Sequence, residues 1–96
     1  MKGLLHPAAD GELAEAVRYY AEIDPELGLR FYHEMERLIG DVSAHPERYR
    51  KLDSHTRRHI STDFPYALIY LQKQDYVWIV AVMHLKRRPD YWRKRL

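Results

Sequence analysis

The stretch from Tyr76 to His84 (Tyr-Val-Trp-Ile-Val-Ala-Val-Met-His) constrains the fold more than any other, because its nine residues carry almost no polar side chain. A strand with one face in water alternates apolar and polar residues. One this uniformly apolar, and this rich in β-branched and aromatic side chains, needs cover on much of both faces. It is therefore expected in the middle of a sheet. Tyr66 to Gln72 (Tyr-Ala-Leu-Ile-Tyr-Leu-Gln) reads as a second strand, and Lys73-Gln74-Asp75 between the two is hairpin length, so they should be antiparallel neighbours. Pro65 stands at a strand start, where a missing N–H is tolerated. Arg57 to Thr62 reads as a further strand, and Leu4-Leu5, ending at His6-Pro7, as a short first one.

Cover for one sheet face comes from the first half of the chain. Leu13, Ala16, Val17 and Tyr20 fall at i, i+3, i+4 and i+7, one face of a helix that starts near Pro7. Asp24-Pro25-Glu26 then reads as a stop and a new start, with Asp24 as N-cap, Pro25 in the first turn and Glu26 suited to the helix dipole. Leu27, Phe31, Met35, Leu38 and Val42 make the stripe of a second, longer helix ending near Ala44, before His45-Pro46. The order predicts an α+β fold: an N-terminal antiparallel helical hairpin on one face of a small antiparallel sheet, formed by the short N-terminal strand and three C-terminal strands, with a short C-terminal tail or helix. With 96 residues, a single domain spanning 1–96 is expected. The chain has no cysteine, hence no disulfide or thiolate metal site, and no apolar run approaches the roughly 20 residues that span a bilayer, which points to a soluble protein of the cytoplasm with no membrane partner.

A net charge of +2 hides an asymmetry. Up to Ala44 there are four basic and nine acidic residues, a net −5; from His45 onward twelve basic and five acidic residues make +7. Such a half attracts a polyanion or an acidic protein segment, unless the charges are merely solvated surface. Its basic residues cluster in Arg48-Tyr49-Arg50-Lys51, in Arg57-Arg58-His59, and in the tail from His84 to Arg95, where Lys86, Arg87, Arg88, Arg93, Lys94 and Arg95 flank Tyr91-Trp92. Arginine forks grip phosphates and aromatic faces stack on splayed bases. The same tail aromatics would equally serve to clamp the C-terminus onto the core. Strand alternation sets Arg57, His59 and Ser61 on one face and Arg58, Ile60 and Thr62 on the other; with Ile60 turned inward, Arg57 and His59 are expected on the exposed side.

The chemistry open to such a cluster is metal-free RNA cleavage, in which the ribose 2′-OH attacks the adjoining phosphate. It needs a proton acceptor, a proton donor, and cations around the crowded phosphorus. His84 or Tyr91 would move protons; Arg57, Arg87 and Arg88 would hold charge. His55 and His59 have the four-residue spacing of helical metal ligands, but they lie at the start of a strand with no third ligand nearby, so no metal is expected. No phosphate-cradling glycine loop or Ser-His-Asp order is present, and nothing calls for a cofactor.

The run His6-Pro7-Ala8-Ala9-Asp10-Gly11-Glu12-Leu13, then Ala16-Val17-Arg18-Tyr19-Tyr20, Ala44-His45-Pro46-Glu47, Arg57-Arg58-His59, Phe64-Pro65-Tyr66-Ala67-Leu68-Ile69-Tyr70, Ile79-Val80-Ala81-Val82-Met83-His84, Arg87-Arg88-Pro89 and Tyr91-Trp92 resembles, in order, the RelE/ParE toxins, also called plasmid stabilisation proteins. The resemblance implies a helical hairpin on a small sheet. It also implies a cognate antitoxin that wraps the toxin and reaches operator DNA on its behalf. Members are either ribosome-dependent endoribonucleases that cut messenger RNA, or inhibitors of DNA gyrase that are not enzymes. By position, the resemblance implies catalytic roles for His84, Tyr91, Arg57 and Arg87. Lys51, Arg50, Arg58, Lys86, Arg88 and Trp92 would hold substrate. On this reading the chain is a metal-independent endoribonuclease acting on mRNA at the ribosome. The alternatives are a gyrase inhibitor, to which Phe64-Pro65-Tyr66 and Pro89-Asp90-Tyr91-Trp92 are also suited, and a catalytically silent member that acts only by binding.

Overall fold

One residue, Asp24, separates the two helices and caps both. Its backbone N–H donates to the Tyr20 carbonyl at the end of α1 (Pro7–Ile23), and its side-chain oxygen accepts the Glu26 N–H at the start of α2 (Pro25–Ala44). With no residues left over for a loop, the helices must double back on each other, as the spacing predicted. Gly28 permits the tight crossing: a Cβ there would lie 2.6 Å from the Ala21 Cβ. The start of α1 is capped by the His6 ring, whose Nδ1 accepts the Ala8 N–H.

The structure, a computed structural model describing residues 1–96, adds a sheet of β1 (Lys2–Leu5), β2 (Arg50–Lys51), β3 (Thr56–Ile60), β4 (Tyr66–Gln72) and β5 (Tyr76–His84), in the order β1-β5-β4-β3-β2. The long apolar strand β5 is interior, as its composition requires. The sheet is mixed, because β1 runs parallel to β5 while the other neighbours are antiparallel. The expected strand from Arg57 to Thr62 is shifted by one residue at its start and two at its end. Thr56 enters the ladder once Asp53 has taken its N–H, and Ser61 leaves it to bind the Asp63 and Phe64 amides through its hydroxyl.

Between helices and sheet lies the main core, in which Phe31, Met35, Leu38 and Val42 of α2 meet Leu68, Tyr70, Val77, Ile79 and Val82. Each of these residues is at most 2% exposed, and burying such a side chain stabilises by about 1.5–3 kcal/mol. A β-bulge in β5 changes the alternation: Ile69 pairs with Ala81 but Tyr70 with Ile79, leaving Val80 extra. After it, Val80, Ala81 and Met83 join Ile69 on the opposite face, where they are covered by Trp92, 1% exposed. The tail, ending in a 3₁₀ turn (Arg93–Arg95), is thus the second cover that β5 demanded. No helix is long and apolar enough to cross a membrane.

The alternation also decides which way the β3 arginines point, and it reverses the expectation. Arg57 pairs with Tyr70 and His59 with Leu68, both of which face the helices, so Arg57 and His59 lie on the helix side. Ile60, expected inward, is 38% exposed beside Arg58 on the other face.

Candidate functional site

Past Leu5, β1 ends and the edge of β5 has no strand beside it. Two side chains take over the missing hydrogen bonds. The Val82 N–H donates to Glu12 Oε1 at 3.0 Å, and Arg95 Nη1 donates to the Val80 carbonyl at 2.9 Å. Glu12 and Arg95 also bind each other, Nη1 to Oε1 at 2.9 Å and Nη2 to Oε2 at 3.0 Å, with side chains only 13% and 16% exposed. The Tyr91 hydroxyl donates to Glu12 Oε2 at 2.7 Å. Arg87 completes the cluster, its guanidinium 3.7 Å above the Tyr91 ring and 3.5 Å from Glu12 Oε2.

This cluster fixes what Tyr91 can do. Burial, and then donation to the Glu12 carboxylate, push its phenol well above the ordinary tyrosine range, so it stays protonated and committed. The same carboxylate raises Arg95 further. His84 stands nearby at the end of β5, with Nδ1 accepting the Lys86 N–H at 3.0 Å and its ring edge-on to Tyr66. It lines a cavity of about 430 Å³ with Arg87, Arg18, Tyr19, Tyr66 and three carboxylates, Glu12, Glu15 and Glu22. The lining is mixed in charge, with Arg18 and Arg87 beside Glu15, Glu22 and the already paired Glu12, so it gathers no excess of positive charge around a phosphate.

His84, Arg87 and Tyr91 therefore come together, but Arg57 and Lys51 do not join them. Arg57 is opposite Tyr70 and His84 opposite Tyr66, on strands either side of β4. Four residues along β4 and two strand spacings separate them by roughly 16 Å. Arg57 is held by the Tyr49 carbonyl at 2.8 Å and, with Lys51, lines a different cavity of about 520 Å³ at the foot of the sheet.

Of the residues expected to hold substrate, Trp92 is a correction: packed in the core, it has no face free to stack on a base. Arg50 and Arg58 pair with each other across β2 and β3; Lys86 is exposed, and Arg88 forms a solvated pair with Asp90. Glu12 and Asp53 were not singled out from the sequence, and Arg95 stood out only as one cation of the basic tail. Asp53 binds Arg93 at 2.9 Å and accepts the His55 and Thr56 amides, and these contacts, Arg93 first, hold its carboxyl far below the usual range. A third polar cluster ties α2 to β3: buried Glu34 accepts from Arg37 and Ser61, and Asp41 pairs with Arg37 and His59, whose ring stacks on Tyr49. No three His, Cys, Asp or Glu side chains are placed to hold a metal ion.

A sequence profile described as "ParE toxin of type II toxin-antitoxin system, parDE" matches residues 4–89. Among solved structures, a chain described as "Chromosomal ParDE TA system from P. aeruginosa" is similar with a TM-score of 0.77 and 14% identity, over 90% of this chain and 97% of that one, a likeness of fold. No curated protein sequence matches.

Proposed function

The chain belongs to the ParE toxin family of type II toxin–antitoxin systems, and from that membership we propose that it arrests growth by binding and inhibiting DNA gyrase, not by cutting RNA. The observation that carries the proposal is the commitment of Tyr91 to Glu12. Cleavage needs a free proton acceptor, a free donor and cations around one phosphate. Here the phenol is held protonated by its bond to Glu12, the neighbouring histidine lies in a cavity where Glu15 and Glu22 offset Arg18 and Arg87, and two of the cations lie at the other end of the sheet. A toxin that works by occupying its target needs none of those groups free.

The antitoxin follows from the same membership. We take the partner to be a cognate antitoxin whose extended or helical segment covers the toxin's working surface, with any operator recognition made by the antitoxin. Purified chain added to gyrase, relaxed plasmid and ATP should block supercoiling. Messenger RNA ends mapped in a translating extract should be unchanged. Codon-positioned cuts in that extract, with supercoiling unaffected, would reverse the assignment in favour of the endoribonuclease.

A further inference from the structure

The edge of the sheet away from the Glu12 cluster carries a charge arrangement that works against the fold. β2 is two residues long, and both of its cross-strand pairs join like charges: Arg50 opposite Arg58 and Lys51 opposite Arg57. Directly opposed residues of an antiparallel pair have Cβ atoms about 5 Å apart, where like charges repel. None of the four forms an ion pair, nor does Lys73 across the foot cavity. The cavity lining contains Lys51, Arg57, Lys73 and His55 without one aspartate or glutamate side chain. Of the carboxylates nearest in sequence, Asp53 is consumed by Arg93 and two backbone amides, and Asp75, two residues past Lys73, is exposed and does not line the cavity. Arg58 Nε is buried with no hydrogen-bond partner. Arg57 gives Nη1 to a backbone carbonyl, which fixes its planar fork while its other donors stay uncommitted.

We infer that this edge is a phosphate-binding surface that grips the backbone of duplex DNA directly and without regard to sequence. Alternate residues of β2 and β3 send their cations to both sides of the edge, so a row of phosphates laid along it is met from both faces. An acidic peptide is the poorer fit, because a two-residue strand is too short to template an added strand and main-chain pairing would contribute little. Single-stranded nucleic acid is also the poorer fit. It binds through bases stacked on exposed aromatics, and here Tyr49 is already stacked on His59 at 3.8 Å and Trp92 is buried. Duplex backbone asks only for placed positive charge. The inference goes beyond gyrase inhibition and stands apart from it.

The test is fluorescence anisotropy of the full-length chain with a labelled duplex of mixed sequence over a salt series, with gyrase absent. Each phosphate contact contributes about −0.9 to the slope of log K against log salt, so the wild-type chain should show a slope of about −3 or steeper. The pair Lys51→Gln and Lys73→Gln should flatten it by about 2 and weaken binding roughly tenfold or more. The pair Lys2→Gln and Arg30→Gln, an equal change of net charge elsewhere, should leave both unchanged. A wild-type slope flatter than about −1 overturns the inference without any variant. It is equally overturned if both variant pairs weaken binding alike, if a single-stranded RNA of the same length binds more tightly than the duplex, or if a glutamate-rich peptide displaces the duplex at equal charge. Because the assay contains no gyrase, failure here leaves the supercoiling result standing, and the reverse also holds.

Discussion

Replacing Glu12 with alanine should be among the most damaging single changes in this protein. The carboxylate accepts from the Val82 amide, the Tyr91 hydroxyl and both ends of the Arg95 fork, at 2.7–3.0 Å. Both partners of the ion pair are mostly buried, so solvent screens the loss little. Removing one member of such a pair leaves an uncompensated charge, at about 3–5 kcal/mol. A domain this size has a total stability of about 5–15 kcal/mol, and each kcal/mol shifts the midpoint by about 4–8 °C. Glu12→Ala should therefore lower Tm by about 12 °C or more. Urea unfolding followed by the combined emission of Trp78 and Trp92, which pack in one cluster that opens when the tail detaches, reads the effect. The pair Glu12→Met with Arg95→Met should be less damaging than the sum of its single changes, by a coupling of about 2 kcal/mol. A loss below about 1 kcal/mol for Glu12→Ala, or strict additivity in the cycle, would refute the idea that this carboxylate holds the tail on the sheet.

Gly28→Ala should lower stability by about 1–3 kcal/mol, since its Cβ would meet Ala21, part of it backbone, at 2.6–3.0 Å. Gly40→Ala on the same helix meets nothing within 4 Å and should raise stability by about 0.5–1 kcal/mol, so paired thermal melts must move in opposite directions. Burial pushes the Tyr70 hydroxyl up to about 12. Its contribution to stability is thus complete below about pH 10, where unfolded tyrosine is neutral, and is lost as pH rises toward 12. Ultraviolet titration of wild type against Tyr70→Phe should remove a late-ionising phenol. Glu34 runs the other way: Arg37, and then Ser61 against the opposing effect of burial, depress its carboxyl. The stability it supplies is present above the unfolded carboxylate value of about 4.3 and fades as pH falls through the depressed one, so a Ser61→Ala chain should unfold at higher pH during acid titration.

The local parts of this architecture were readable from the residues themselves. Pro25 after Asp24, the stripe from Leu27 to Val42, and the apolar length of β5 each specify an element through interactions within one helical turn or one strand. What could not be read depends on residues far apart in the chain. Glu12 is an ordinary surface-pattern glutamate on α1 until Arg95, 83 residues later, is laid beside it. The facing of Arg57 depended on β4, since only the pairing with Tyr70 and Leu68 reveals which side of β3 is covered. The bulge at Val80 likewise leaves no local mark, yet it is what turns Ala81 and Met83 toward Trp92. Basic residues of the tail and of β3 were expected to serve one site, and the fold divides Arg87 from Arg57 between two ends of the sheet.

The central claim, that this toxin acts by binding and not by catalysis, is tested most directly by the variant carrying both His84→Gln and Tyr91→Phe. The side chains keep their volume, so cavity formation is avoided, while both candidate proton carriers are removed. Assayed below its melting temperature in gyrase supercoiling reactions, the folded variant should inhibit at the same concentration as the wild-type chain. A folded variant that no longer inhibits, or a wild-type chain that cuts messenger RNA and a variant that does not, would contradict the account.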